Sequence, residues 1–390
     1  MGTLRLAPAS TGDYRRLAEQ RLPRFLFDYI DGGAYDEVTL AANVADFRAL
    51  GVKQRVLRDV SRVETGIELL GEQWTMPLAL APVGLAGMMA RRGEVQAVRA
   101  ADALGIPFCH STVGICSVEE VAEAARRPFW FQLYMMRDRG HVKELVQRAG
   151  AAGCRTLVFT VDLAVVGARY RDVRNGLSGG TGLWGKLRGK LGEILLHPRW
   201  AWDVGVNGKP HVFGNLTEYV PKASTPDDFR EWVDSQFDPA VTWKDIEWLR
   251  SIWDGRIVIK GVLDPQDAVA AAEAGADAVI VSNHGGRQLD GVSSAITMLP
   301  RVVEAAGDKT EVLVDSGVRN GQDVVRALAS GAKAALIGRP WIWALAGRGE
   351  SGLRALLKTF HAEMKVSMAL TACTSIADLT PEILEPREED

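Results

Sequence analysis

One periodicity constrains this chain more than any other feature. From Met76 onward, short apolar runs ending in small or polar residues alternate with alanine-rich stretches of helical spacing, about eight times over. The strand candidates are Leu78–Pro82, Pro107–Ser111, Trp130–Tyr134, Thr156–Asp162, Ile257–Lys260, Ala278–Ser282, Val312–Asp315 and Ala334–Gly338. Between them lie helix candidates such as Val95–Leu104, Val118–Ala125, Val142–Ala151, Pro265–Ala274, Gln322–Ser330 and Leu353–Met368. Continuous apolar runs read as parallel strands buried on both faces, and their alternation with helices reads as repeated βαβ units. The pattern predicts an α/β chain of the (β/α)8 TIM barrel class. A doubly wound sheet competes. Against it, no G-x-G-x-x-G closes the first strand, and nearly every strand ends on a polar residue.

A barrel brings all its strand ends to one rim. In order they offer Pro82-Val83-Gly84, Ser111, Gln132-Leu133-Tyr134, Thr160-Val161-Asp162, Lys260, Ser282-Asn283-His284, Asp315-Ser316-Gly317-Val318-Arg319 and Gly338-Arg339. Ser111, Gln132 and Thr160 suit hydrogen bonds to a flat heteroaromatic ring, and Lys260 places positive charge beside it. The last two turns contain glycine and an arginine each. Barrels hold phosphate at that position, with backbone N–H groups and a helix amino end. Taken singly, each residue reads more simply as a cap or a turn, so the weight falls on their joint placement.

The densest stretch is Ser282 to Asp290, Ser-Asn-His-Gly-Gly-Arg-Gln-Leu-Asp. It follows the apolar run Ala278–Val281, so His284 and Arg287 sit just past a strand end on a turn that Gly285 and Gly286 allow to bend sharply. A guanidinium forks onto a carboxylate, and an imidazole takes a proton from the neighbouring atom.

Flanking segments complete the organisation of the 390 residues. Residues 1–75 read as a helical extension, with Leu17, Leu22, Phe25 and Phe27 at helical spacing over Arg15 to Tyr29 and a break at Gly32-Gly33. Tyr29 by its spacing alone reads as a core aromatic. The barrel spans 76–370, and the acidic tail over 371–390 is expected to fray from Pro381. An insertion over 163–240, after the fourth strand, far exceeds ordinary loop length. Within it, Leu183–Leu196 places Leu183, Leu187, Leu191, Ile194 and Leu195 on one helical face and Lys186, Arg188 and Lys190 elsewhere, followed by Trp200 and Trp202. Such a segment reads as an interfacial membrane helix or as a helix packed on its own barrel or a neighbouring subunit, and Gly185, Gly189 and Gly192 weaken its helicity. A net charge of -3 argues against bulk attraction to nucleic acid. Cys109, Cys116, Cys154 and Cys373 form no C-x-x-C, so neither a metal site nor a disulfide framework is expected. No apolar run is long enough to span a bilayer.

With these residues laid out, the chain resembles the flavin mononucleotide (FMN)-dependent L-2-hydroxy acid dehydrogenase and oxidase family over almost its whole length. The nine-residue stretch 282–290 is the most specific match. Phe131-Gln132-Leu133-Tyr134, Val258-Ile259-Lys260-Gly261 and Asp315-Ser316-Gly317-Val318-Arg319 support it independently. Within the family the chain is most similar to the bacterial respiratory, quinone-linked L-lactate dehydrogenase branch, through the segments 27–35, 88–96, Gly167-Ala168-Arg169-Tyr170-Arg171-Asp172 and 200–205.

The resemblance implies roles. His284 is then the base and Asp162 its orienting partner. Arg169 and Arg287 grip the substrate carboxylate, and Tyr29 and Tyr134 hydrogen-bond substrate oxygens. Lys260 stabilises reduced flavin. Pro82, Val83, Gly84, Ser111, Gln132, Thr160 and Ser282 hold the ring, and Asp315 takes the ribityl chain. Ser316, Gly317, Arg319, Gly338 and Arg339 complete the cofactor site at the phosphate end. The expected reaction is oxidation of L-lactate to pyruvate, with hydride passing to flavin N5 while His284 removes the hydroxyl proton; removal of the Cα proton first would use the same residues. Electrons then pass to a quinone. The enzyme is expected to be peripheral, at the cytoplasmic face of the inner membrane, and a homotetramer. Alternatives are another hydroxy acid such as mandelate or glycolate with oxygen as acceptor, a non-catalytic flavin-binding barrel, or an aldolase using Lys260 as a Schiff base. Ala164 stands where relatives often have Pro, His110 where Leu is usual, and Gly84 where oxidases often have Ala.

Overall fold

The computed structural model describes residues 7–175, 192–219 and 235–386. Eight parallel strands form one sheet: β1 (Leu78–Leu80), β2 (Cys109–Ser111), β3 (Trp130–Leu133), β4 (Thr156–Thr160), β5 (Arg256–Val262), β6 (Ala278–Val281), β7 (Glu311–Val314) and β8 (Ala335–Ile337). Each pairs with its sequence neighbour, β8 returns to β1, and a parallel bridge between Leu80 and Phe108 closes the circle. The runs are apolar because both faces are covered. Ala278–Val281 and Thr156–Thr160 are buried at every position. Inward side chains at the lower end, among them Trp130, Val158, Val258, Ile280 and Leu313, form a packed core within the barrel. Burial of each such side chain contributes about 1.5–3 kcal/mol.

The extension before the barrel departs from the sequence expectation. Helix α1 (Thr11–Arg21) starts on a Ser10–Asp13 capping box and stops at Leu22, and α2 (Arg24–Asp31) follows. Pro23 lacks the N–H an unbroken helix needs, so the apolar spacing of Arg15–Tyr29 is carried by two helices rather than one. α3 (Val38–Ala49) comes next. Strands Ile67–Leu69 and Glu72–Trp74 then form a hairpin whose Leu69 and Trp74 pack against the lower barrel core. The tail does not fray at Pro381: Leu384–Pro386 pairs antiparallel with Leu50–Val52. The long helix Arg339–Leu370 is kinked at Arg348-Gly349 and packs along α1, where a Cβ on Gly347 would lie 2.9 Å from that of Leu17.

The insertion leaves β4 at Thr160 and returns through a helix over Lys244–Ile252. Most of Leu183–Leu196 lies outside the described residues. Among the described residues, no helix is long and apolar enough to cross a membrane.

Candidate active site

The upper rim encloses a cavity that collects most of the strand-end residues. Its lining includes Tyr29, Pro82, Val83, Gly84, Tyr134, Thr160, Arg169, Lys260, His284, Arg287, Asp315, Ser316, Gly317, Arg319, Gly338 and Arg339. Ser111, Gln132, Ser282 and Asp162 stand behind this surface and act on it through hydrogen bonds.

The loop after β6 explains the glycines. His284, Gly285 and Gly286 all adopt positive φ, at 58°, 68° and 71°. A Cβ at 285 would lie 2.5 Å from Arg339 Nη1, and one at 286 would lie 2.6 Å from Leu40 N, so only glycine fits. This tight bend aims the His284 ring at Asp162, whose Oδ1 is 2.8 Å from Nδ1. Asp162 reaches that place because β5 bulges between Lys260 and Val262 and Gly261 offers no side chain; a Cβ there would be 2.6 Å from that of Asp162. Burial would raise the Asp162 carboxyl, but His284 and then Lys260 outweigh it and hold it below its ordinary value. Burial pushes His284 down, and Lys260 and Arg287 add to that against the pull of Asp162. The ring is therefore neutral near pH 7, with Nδ1–H on the carboxylate and Nε2 available as a base.

A second network sits below. Lys260 Nζ lies 3.0 Å from Asp315 Oδ2 and donates to Ser282 Oγ at 2.9 Å. Burial would lower this ammonium, but Asp315 and Asp162 raise it, so it stays charged. Ser316 Oγ donates to Asp315 Oδ1 at 2.7 Å and accepts from Gly285 N at 3.0 Å, while Ser282 Oγ accepts from His284 N at 3.1 Å. Both serines thus fix the histidine loop from beneath.

Four arginines line the cavity, Arg169, Arg287, Arg319 and Arg339. Arg287 Nη1 donates to the carbonyls of Tyr29 and Gly32, and its guanidinium lies 5.0 Å over the Tyr29 ring. Arg339 donates to the carbonyls of Asp31, Gly285 and Gly32. The carboxyl end of α2 thus meets two cations, the favourable pole for them. Arg319 stacks on Trp343 at 5.4 Å. Burial pushes Arg319 down to about 10, and burial with Arg287 and Arg319 nearby pushes Arg339 well down. Such crowding of cations is the electrostatics of a site built for an anion.

A family signature described as FMN-dependent dehydrogenase matches residues 18–386. The chain belongs to that family. It is 53% identical to the L-lactate dehydrogenase of Alcaligenes faecalis, over 96% of this chain and 98% of that one. It is 54% identical to the L-lactate dehydrogenase of Caulobacter vibrioides, over 97% and 98%. Among solved structures, the monotopic membrane protein (S)-mandelate dehydrogenase superposes with a TM-score of 0.91 at 36% identity, covering 98% of this chain and all of that one. A mandelate oxidase superposes at 0.82 with 36% identity, covering 98% and 99%.

The cofactor of this FMN-dependent dehydrogenase is FMN, and the residues present fit it. Gln132 Nε2 and Thr160 Oγ1 are buried and have no hydrogen-bond partner among the described residues, which leaves a donor and a hydroxyl for a heteroaromatic ring. Gln132 is held for this by its Oε1, which accepts from Ser111 Oγ at 3.1 Å and Thr112 N at 3.3 Å. At the other end of the cavity Arg319 and Arg339 meet the amino end of the helix that starts at Arg339, the arrangement a phosphate needs.

Sequence reasoning missed the apolar wall. Val113, Leu163, Val166, Phe213 and Phe237 line the cavity, and Phe237 stacks on Tyr134 at 5.0 Å. Phe213 and Phe237 come from the insertion, where no spacing marks them. His110 is a buried structural residue. It faces away from the cavity between Phe108 and Phe131, and its Nε2 accepts from Asn215 Nδ2 at 3.1 Å. Asn215 also bonds Ser111 O, Thr112 O and Val118 N, so His110 and Asn215 pin the insertion to the end of β2. Burial pushes His110 down to about 4, which keeps it neutral.

Proposed function

We propose that this FMN-dependent dehydrogenase oxidises L-lactate to pyruvate with His284 as base and delivers the electrons to a quinone. The observation that carries the reading is the His284 ring, paired with Asp162 at 2.8 Å, in one cavity with Arg169 and Arg287. The names of the relatives from Alcaligenes faecalis and Caulobacter vibrioides support lactate as the acid.

FMN, when bound, supplies a two-electron acceptor for the hydride of the substrate α-carbon. The arginines fork onto the carboxylate, and the hydroxyls of Tyr29 and Tyr134 donate to substrate oxygens. Burial, with Asp162 and Tyr29 nearby, raises the Tyr134 hydroxyl and keeps it a donor. His284 Nε2 takes the hydroxyl proton, and Asp162 stabilises the imidazolium that results. Ser111, Gln132, Thr160, Ser282, Lys260 and the backbone of Pro82, Val83 and Gly84 hold the ring. Asp315, Ser316, Gly317, Arg319, Gly338 and Arg339 serve the chain and phosphate.

Peripheral attachment at the cytoplasmic face of the membrane is part of the reading, as is a homotetramer by family resemblance. Leu195, Leu196 and Trp202 are 76%, 75% and 68% exposed on one short stretch, which supports a surface that seeks lipid. Trp200 does not join them: it is buried and donates to Met88 O at 2.8 Å.

The test is anaerobic. L-lactate added to purified yellow protein bleaches the flavin bands within a turnover, and L-mandelate and glycolate bleach them more slowly. Bleaching by L-mandelate but not by L-lactate would favour the aromatic acid, to which the likeness to (S)-mandelate dehydrogenase points. Slow return of colour in air, and fast return with a soluble quinone, distinguish dehydrogenase from oxidase.

A further inference from the structure

We propose that Gln288 is a positioning and specificity-determining residue: its side-chain amide latches the 163–169 loop over the substrate end of the cavity. The proposal rests on the reading that Arg169 grips the substrate carboxylate.

Polar contacts rather than burial hold the loop, and Arg169 adds its own at the far end, with Nε donating to Arg287 O at 3.4 Å and Nη1 3.8 Å from Asp172 Oδ2. Val165 is 73% exposed, and Ala164, Val166 and Ala168 are also exposed, so apolar burial does not fix its path. Yet it carries Leu163 and Val166, which wall the cavity, and Arg169, which reaches into it. Gln288 spans this loop with both ends of its amide. Nε2 donates to Asp162 O and to Val165 O, each at 2.9 Å. Oε1 accepts from Gly167 N at 3.3 Å and faces Arg169 Nη2 at 3.5 Å. Gly167 lets the two loops close up, since a Cβ there would be 2.5 Å from Arg287 O and 2.7 Å from Gln288 O. Further along, Tyr35 N donates to Ala168 O at 2.9 Å and Val173 N to Arg169 O at 3.2 Å, which tie only the distal end of the segment.

The chemistry requires an amide. Glutamate has the same shape but no donors, and would set a carboxylate against two carbonyls. Leucine fills the space without any hydrogen bond. Gln288 follows Arg287 directly, so the residue that grips the carboxylate from one side is adjacent to the one that holds Arg169 on the other. The latch therefore sets the spacing of the two guanidiniums and the width between Leu163, Val166 and the opposite wall.

The experiment uses the FMN-loaded full chain with Gln288→Leu and Gln288→Glu, assayed on L-lactate and L-mandelate. The expected result is a KM for L-lactate raised about tenfold, the scale of one or two lost neutral hydrogen bonds, with kcat kept within about threefold. The preference in kcat/KM for lactate over mandelate shrinks at the same time, because the wall relaxes. Gly167→Ala pushes the loop away from its own side and gives the same pattern, which covers the case in which a Gln288 variant misfolds. An unchanged KM, an unchanged substrate preference, or a lost kcat at constant KM would each overturn the proposal. Arg169→Met is the control for the underlying reading: if it leaves KM for lactate unaltered, the carboxylate assignment fails regardless of Gln288.

Discussion

Lys260 Nζ sits 3.0 Å from Asp315 Oδ2, both nearly inaccessible to solvent. The pair is the electrostatic floor of the site, since the ammonium also depresses the neighbouring Asp162 carboxyl and His284 ring. Removing one member leaves the other buried without its counter-charge. Lys260→Met is expected to cost about 3–5 kcal/mol of stability. Thermal unfolding of apo- and FMN-loaded protein checks this, and a melting temperature unmoved in both would refute the pairing as a structural element.

His284→Gln is expected to lower kcat by about 10²–10⁴-fold, the usual contribution of one general base. FMN content measured from the visible spectrum should stay near wild type. Turnover close to wild type would remove His284 from the mechanism.

The pH profile follows from the sign of the His284 shift. A base acts when unprotonated, and burial lowers its affinity for protons below the ordinary value of 6.5. The acid limb of kcat/KM is therefore expected below pH 6.5, with activity falling as pH drops through it. In Asp162→Asn the carboxylate no longer favours imidazolium, so the limb moves to still lower pH while the rate falls. A limb above 6.5 in wild type would contradict the assignment.

Ser316 holds φ at 69°, a left-handed conformation that costs a side-chain residue about 1–2 kcal/mol. Its hydroxyl joins Asp315 to the amide under His284. Ser316→Ala and Ser316→Gly both lose that link and are expected to slow turnover by about tenfold. The glycine variant should be the more stable of the two by about 1 kcal/mol, because it adopts this φ freely. Urea titration of both variants tests the ordering.

Leu195→Ser combined with Trp202→Ser removes one strongly exposed apolar side chain on each side of Trp200. Sedimentation with anionic vesicles is expected to fall several-fold, and lactate-driven flavin reduction in solution to stay unchanged. Equal sedimentation would refute this stretch as the lipid-facing surface.

The barrel was legible because buried parallel strands leave continuous apolar runs and each run ends on the residue that faces the rim. Thr160, Lys260 and Asp315 could be placed at their strand ends on that basis alone. The hairpin at Ile67–Trp74 was not legible, since three-residue strands leave almost no periodicity, and Pro23 was read through when it should have ended a helix. Phe213, Phe237 and Asn215 act through contacts between distant segments, which local spacing cannot encode. Gln288 lies within the Ser282–Asp290 motif, but its partners on the facing loop are visible only in three dimensions.

The helix that closes the site is made first and completed last. Carbonyls at Asp31 and Gly32 meet Arg339 across a sequence separation of 308 and 307 residues. During synthesis these carbonyls wait for Arg339 until the final strand of the barrel has emerged, although Arg287 reaches the same end of α2 earlier. A chain halted before Arg339 can form barrel strands yet lacks one of the two guanidiniums that tie the carboxyl end of α2 to the rim. The cavity lining therefore joins Tyr29 near one end of the chain to Arg339 near the other, and only a chain that runs past Arg339 can complete it.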